Sequence, residues 1–280
     1  MDLSEALRDF LLSRRARLRP DEVGLPVHGT RRVSGLRREE VAHLAAMSVE
    51  HYTRLERGNA SRVSDAVLEA VGEALRLSPG ERRYLRSLAR PAGADGTPLP
   101  AGRLPDLQVV LDAMDRTPAY LVGPGGAILG WNRLAAAVFL DFGRLPPEER
   151  TIGRLVFTDP RVRRLYVDWE TKSRETVGLL RTEVGRRPRD AAFTREIAEL
   201  RECSPEFRQL WDEQVVLEQP HTTLLLASPG AARPLRLSLS TLQPAGRPDL
   251  VIPVYTAEPG SRSEAELLRL ARAVAPPDTP

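Results

Sequence analysis

The stretch EEVAHLAAMSVEHYTRLERG, residues 39 to 58, predicts two short helices joined by a tight turn. Apolar residues recur at helical spacing in each half, and Ser48 is a good N-cap for the second helix. Tyr52 and Leu55 lie three positions apart, so both can pack inward against the first helix. Gly58 suits the left-handed turn that commonly ends a helix. The stretch therefore predicts a helix-turn-helix unit.

The residues around this unit predict an all-α domain. Apolar residues at helical spacing occur in residues 3–18 before it and in residues 64–77 after it. A further helix is expected from residue 79, because Ser78 followed by Glu81 forms the pattern of a capping box. Residues 1–90 are thus expected to form a five-helix domain, followed by a linker rich in Pro, Gly and Ala at 91–105.

The character of the sequence changes beyond the linker. Residues 118–132 contain two β-prone runs around Gly-Pro-Gly-Gly, and helical segments occupy most of 133–217. Three β-prone runs then follow: HTTLLLAS (221–228), RPLRLSLSTL (233–242) and LVIPVYTA (250–257). This order predicts an α+β domain with a mainly antiparallel sheet at 106–260. A final helix and a mobile Pro-rich tail are expected at 261–280.

Composition places the chain among globular proteins. The 280 residues are 41% hydrophobic and 28% charged, and no apolar run is long enough to cross a membrane. The N-terminus has acidic residues where a signal peptide would be basic, and Cys203 is the only cysteine. One cysteine excludes an internal disulfide and a cysteine-cluster zinc site. The expected location is the cytoplasm, without a membrane partner.

The charge distribution points to nucleic acid. Residues 1–90 contain 17 arginines and 13 acidic residues, a net charge of +4, whereas the other residues sum to −1. The positive excess therefore lies in the same third of the chain as the helix-turn-helix unit. A single helix fits the major groove, and the preceding helix braces it across the phosphate backbone. We therefore expect double-stranded DNA as the partner.

The chain also resembles a known family over nearly its whole length. LRREEVAHLAAMSVEHYTRLERG (36–58) resembles the helix-turn-helix core of the xenobiotic-response-element (Cro/phage-repressor) type. Residues 31–58 more narrowly resemble bacterial regulators that have an MmyB-like C-terminal domain. Four later stretches resemble that domain in the same order: PAYLVGPGGAILGWN (118–132), LVFTDPRVRRLYVDWE (155–170), SPEFRQLW (204–211) and VYTAEPGS (254–261). The resemblance implies a transcriptional regulator whose C-terminal domain has a PAS-like fold.

Position by position, the resemblance also implies which residues contact DNA. The residues expected to face base edges are Val49, Glu50 and Arg54. Those expected at the phosphate backbone or groove wall are Arg38, Ser48, His51, Thr53, Arg57 and Arg62. The chain has Ala46 where the turn of this family often has glycine.

A PAS-like domain encloses a cavity, and the sequence offers an apolar and aromatic lining for one. The candidate pocket residues are Tyr120, Trp131, Phe139, Leu155, Phe157, Tyr166, Trp169 and Trp211. Such a lining would suit a small hydrophobic effector such as a fatty acyl compound. The alternative is that these side chains form an ordinary core. The residues around them contain no metal-ligand spacing, so neither a cofactor nor a metal is expected.

Three functional hypotheses follow from these features. The first is a ligand-responsive regulator that binds a palindromic operator as a homodimer, since one short helix reads few base pairs. The second is a constitutive DNA-binding regulator whose C-terminal domain serves only dimerisation or partner docking. The third, an enzyme with a DNA-binding module, would need convergent polar groups in the cavity. Because the histidines are scattered and no nucleophile elbow or phosphate loop occurs, we predict that the chain is not an enzyme.

Overall fold

The structure is a computed structural model that describes residues 2–26, 35–61, 63–90, 105–187, 190–216 and 223–274. The predicted linker, apart from Pro105, lies outside these residues, as do Arg62 and positions 275–280 of the predicted tail. The described chain forms two compact units. The first contains residues 2–90 with 177–198 and 208–216, and the second contains 105–176, 199–207 and 223–274.

Among the residues that the structure describes, the N-terminal part of the first unit is all-α, as predicted. Its five α-helices are α1 (Leu3–Arg17), α2 (Arg38–Leu44), α3 (Val49–Glu56), α4 (Asp65–Ala74) and α5 (Pro79–Ala89). Side-chain caps begin four of them, at Asp2, Ser48, Ser64 and Ser78. The predicted capping box is confirmed, because Ser78 Oγ accepts from Glu81 N and Glu81 Oε2 accepts from Ser78 N.

One apolar core holds these helices together. Its buried members come from all five helices and include Phe10, Tyr52, Leu55 and Leu85. The rings of Phe10 and Tyr84 meet edge to face with centroids 5.1 Å apart. The outer face of α3 therefore has a densely packed support.

Three later helices contribute residues to the first unit. They are α10 (Trp169–Arg186), α11 (Ala191–Cys203) and α12 (Pro205–Asp212). Each has some residues in the first unit and others in the second, and Val216 after α12 joins the core of the five-helix part. The two units thus interleave along the chain. The domain boundaries predicted from the sequence therefore stay a prediction.

The second unit contains the predicted antiparallel strands. β1 (Tyr120–Val122) and β2 (Ile128–Trp131) pair as a hairpin across the Pro-Gly-Gly turn. β3 (Thr223–Leu226), β4 (Leu235–Leu242) and β5 (Ile252–Thr256) form an antiparallel sheet in that order. Single bridges from Ala119 and Val122 bring the hairpin beside β5. The predicted α+β character is therefore confirmed.

Helices surround these strands. They are α6 (Pro105–Asp112), α7 (Arg133–Val138), α8 (Ile152–Thr158), α9 (Pro160–Leu165), the first part of α10 and α13 (Arg262–Val274). Asn132 fixes the start of α7, because its Oδ1 accepts from Ala135 N and its amide donates to the carbonyls of Met114 and Thr117. In the part of the chain that the structure describes, no helix is long and apolar enough to cross a membrane.

Candidate DNA-binding surface and candidate ligand cavity

The turn between α2 and α3 fixes the direction of α3. Met47 N donates to Ala42 O at 2.9 Å, and Ala46 takes a left-handed conformation with φ of 50°. Ser48 Oγ accepts from His51 N at 3.1 Å, which caps α3. The positive φ of Ala46 explains why glycine suits this position, since an L side chain is disfavoured there.

The two faces of α3 have different environments. Tyr52 and Leu55 are fully buried in the core, as predicted. On the other face Val49 is 47% exposed, and Glu50 and Arg54 are exposed as well. Within the described residues, the side chains of Glu50 and Arg54 have no hydrogen-bond or ion-pair partner. The three residues expected to face bases thus share one open surface.

His51 and Thr53, two of the expected groove-wall residues, also lie on α3. The Thr53 hydroxyl donates to Val49 O at 2.7 Å, within the helix, and His51 is half-buried. Arg57 follows the last helical residue and is exposed. Its guanidinium has no ion-pair partner among the residues that the structure describes. Arg62 lies outside those residues.

Gly58 ends α3 for two physical reasons. Its φ is 89°, a conformation that side chains rarely adopt. A Cβ at this position would also lie 2.3 Å from the carbonyl oxygen of Ser4 in α1. The predicted left-handed turn is confirmed, and the structure adds the close approach of α1 as a second constraint.

Glu56, the last residue of α3, forms a buried ionic cluster. Its carboxylate is 1% exposed and accepts from Arg15 Nε of α1 and from Arg38 Nε of α2, both at 2.8 Å. The cluster ties the end of α3 to two other helices. The side chain of Arg38 is still 47% exposed, so its expected phosphate contact is compatible with this pairing. Sequence reasoning missed Glu56 because a charged residue on an amphipathic helix normally faces water.

A second buried cluster of charged and polar groups joins α1, α5 and the residues that follow α12. Arg14 is 3% exposed, pairs with Glu81 and donates to the carbonyl oxygen of Gln214. Burial lowers the pKa of Arg14 to about 10, against the opposing effect of Glu81. Gln214 itself has a left-handed backbone, with φ of 56°.

Arg181 of α10 completes this group and explains the position of Trp211. Arg181 is 2% exposed and donates to Val215 O at 3.0 Å, to Gln214 Oε1 at 2.8 Å and to Trp211 O. Its guanidinium carbon lies 4.2 Å from the ring centroid of Trp211. Trp211 was expected to line the pocket, but the structure places it here in the first unit.

The second unit contains a cavity of about 30 Å³. Four of the predicted pocket residues line it: Tyr120, Phe139, Leu155 and Tyr166. The others that line it, among the described residues, are Ile128, Leu140, Phe142, Ile152, Val156, Val162, Leu165 and Lys172.

Three predicted pocket residues lie outside this lining. Trp131, Phe157 and Trp169 are partly buried and pack on the core around it. The indole of Trp169 donates to Val156 O at 3.1 Å, and the ring of Phe157 meets that of Phe207 edge to face. These side chains are therefore supporting core, because their neighbours hold them away from the cavity.

The cavity has few polar groups. The hydroxyl groups of Tyr120 and Tyr255 share a hydrogen bond of 2.8 Å, and burial raises the pKa of Tyr120 to about 12. Lys172 Nζ lies 5.3 Å from the ring centroid of Tyr166. Burial lowers the pKa of Lys172, and the charge of Glu175 partly opposes this. Sequence reasoning did not assign Lys172, although it is the only lysine in the chain.

The helix-turn-helix unit and the open face of α3 define the class of protein: a helix-turn-helix DNA-binding protein. A helix-turn-helix domain family model matches residues 6–85. The model of the MmyB-like transcription regulator ligand binding domain matches residues 104–271. The chain therefore belongs to the MmyB-like transcription regulators. No curated protein matches it.

Together the two matches identify a DNA-binding transcription regulator with a ligand-binding domain. The resemblance seen in the sequence is thereby confirmed, together with the fold that it implied. No group of three or more His, Cys, Asp or Glu residues in the described ranges could hold a metal ion.

Proposed function

We propose that the chain is a sequence-specific regulator of the xenobiotic-response-element type that acts in the bacterial cytoplasm under the control of a small hydrophobic ligand. One observation carries the DNA-binding part. The outer face of α3 presents Val49, Glu50 and Arg54 without partners among the described residues, while the inner face is fixed in the core. Exposed polar groups on a rigid helix are what direct readout requires.

Each of these three side chains matches a different feature of the major groove. Arg54 can donate two hydrogen bonds to O6 and N7 of guanine. Glu50 can accept from N4 of cytosine, and Val49 can contact a thymine methyl group. The three residues lie within one and a half turns of α3, so they would read neighbouring base pairs.

The remaining residues would hold the helix in register. Arg57 and Arg62 follow α3, and Arg38 begins α2, where arginines can contact phosphates. Ser48, His51 and Thr53 would lie against the groove wall. Contacts of this kind strengthen binding to every sequence alike, and they become weaker as the salt concentration rises.

The proposed assembly is a homodimer on a palindromic operator. Eight residues of α3 cover few base pairs, so a second copy would supply the other half-site. Two-fold proteins bind two-fold operators, with half-sites roughly 10 bp apart or a multiple of that distance.

A gel-shift series tests the DNA-reading role. Arg54→Ala should weaken binding to a selected sequence by about 1–3 kcal/mol while binding to random DNA changes little. Arg57→Ala should weaken both alike, and Arg8→Ala, an exposed arginine of α1, serves as the charge-matched control. Equal loss on selected and random DNA with Arg54→Ala would show that Arg54 does not read a base.

The size of the cavity favours a second candidate function. At about 30 Å³ the cavity holds no more than a water or two, which suits a constitutive regulator whose ligand-binding domain serves only dimerisation or docking. Native mass spectrometry of protein purified from its own cytosol separates the two functions. A co-purified small molecule supports ligand control. An apo mass together with no thermal shift across a metabolite panel supports the second function.

A further inference from the structure

The cavity of the second unit contains one cationic side chain in an otherwise apolar and phenolic wall. Lys172 lies in the first turn of α10, and its side chain reaches the cavity beside Tyr166. Tyr120, Phe139 and Phe142 contribute rings to the same wall. A lysine is not needed to fill such a space, since leucine or methionine would fill it without the cost of desolvating a charge.

The ammonium group of Lys172 lacks a close counter-charge. Within the described part of the chain, no carboxylate oxygen lies within 4.0 Å of its nitrogen. Glu175, about one turn further along α10, acts on it only at longer range. The contact with the Tyr166 ring compensates the charge less well than an ion pair would. An anionic ligand in the cavity would therefore supply the counter-charge that Lys172 lacks.

We propose that this cavity binds a compact apolar monocarboxylate, with the carboxylate paired to Lys172 and the apolar body against the aromatic wall. The inference rests on the proposed ligand control and gives its chemical class. A carboxylate supplies the missing counter-charge, and a charge-assisted hydrogen bond in apolar surroundings is stronger than a neutral one.

The small volume of the cavity favours a ligand whose apolar part is compact. A cavity of roughly 150 Å³ holds benzene, and this one has about 30 Å³. Ligand entry must therefore move some side chains, and a single ring requires much less movement than a long acyl chain. The rings of Tyr120, Phe139 and Phe142 offer edges and faces to an aromatic ligand.

Calorimetric titration of the full chain tests the proposal with two probes that differ only in their head group: 3-phenylpropanoate and 3-phenylpropanol. Lys172→Met should weaken binding of the carboxylate roughly tenfold or more, because it removes a hydrogen bond between charged groups. Lys172→Arg should keep most of the affinity. Arg174→Met, which removes an exposed cation two positions away, should bind like the wild type.

Binding of the alcohol should be weak and equal in all four proteins. The proposal would be overturned if Lys172→Met bound the carboxylate as tightly as the wild type, or if the wild type bound acid and alcohol equally. Decanoate binding more tightly than 3-phenylpropanoate would overturn the compact class, and absence of binding by both carboxylates would overturn the whole proposal. DNA binding by the same preparations reports the proposed regulator function separately.

Discussion

Each unit contains a charged side chain in largely apolar surroundings, and the two side chains differ in their counter-charges. Glu56 in the first unit is almost completely buried, and two arginines compensate its charge at 2.8 Å. Lys172 in the second unit lies beside an aromatic ring, and among the described residues it has no carboxylate within ion-pair distance. Glu56 thus has its counter-charges within the protein, whereas Lys172 has none at ion-pair distance among the described residues.

This difference separates a structural charge from a candidate binding charge. A compensated buried charge fixes helices, and removing it leaves its partners uncompensated. An uncompensated charge in apolar surroundings lowers the stability of the protein. A role in binding a ligand would account for its presence. The two residues therefore predict stability changes of opposite sign.

The largest effect is expected at Glu56. Glu56→Ala leaves Arg15 and Arg38 without their shared carboxylate, so the free energy of unfolding should fall by about 3 kcal/mol. Denaturant unfolding measures this, and Glu50→Ala on the exposed face of the same helix should change it by less than about 0.5 kcal/mol. A Glu56→Ala protein as stable as the control would remove the distinction between the two charges.

A smaller loss is expected at Arg181. Arg181→Met fills the space but leaves the carbonyl oxygens of Trp211 and Val215 without this donor, and the free energy of unfolding should fall by about 2 kcal/mol. Arg186→Met, on an exposed part of the same helix, is the matched control. If both variants unfolded at the same denaturant concentration, the buried arginines would not hold the end of α12 in the first unit.

Lys172→Met should have the opposite sign. The substitution replaces a half-buried cation by an apolar side chain of similar length, so the free energy of unfolding of the protein without ligand should rise by about 1 kcal/mol. Thermal unfolding at neutral pH, compared with Arg174→Met, measures the gain. A loss of stability would mean that the lysine is compensated in the folded protein and would weaken its assignment as a ligand anchor.

The smallest change concerns the turn that directs α3. Ala46→Gly should raise the free energy of unfolding by up to about 1 kcal/mol, because glycine adopts the positive φ of this position without strain. Ala45→Gly, at the neighbouring residue with φ of −87°, should instead destabilise by about 1 kcal/mol. Equal effects at both positions would contradict the left-handed turn.

Local patterns in the sequence predict a large part of this fold. The caps at Ser48 and Ser78 and the inward pair Tyr52 and Leu55 follow from spacing over a few residues, and the structure confirms them. The strands also follow from local composition and turn residues. Such features depend on neighbours in the chain, which a sequence displays directly.

The features that escaped prediction depend on distant partners. Arg14 meets Gln214 across 200 positions, and no local pattern indicates that pairing. The local sequence around Glu56 predicts an outward-facing residue, because its partner Arg15 lies in α1, far away in the chain. Trp211 resembles a pocket aromatic, but its ring packs with Arg181. Four of the eight predicted pocket residues line the cavity, because aromatic character alone does not say which side of a core a ring occupies.

The most direct test of the DNA-reading role of α3 is a selection of binding sites from random duplex DNA, performed with the wild type and with Arg54→Ala. We predict that the wild type enriches one motif, repeated with two-fold symmetry roughly 10 bp apart. Arg54→Ala should enrich the same motif with one base position relaxed in each half-site. Absence of an enriched motif, or identical preferences at every position in the two proteins, would contradict the account.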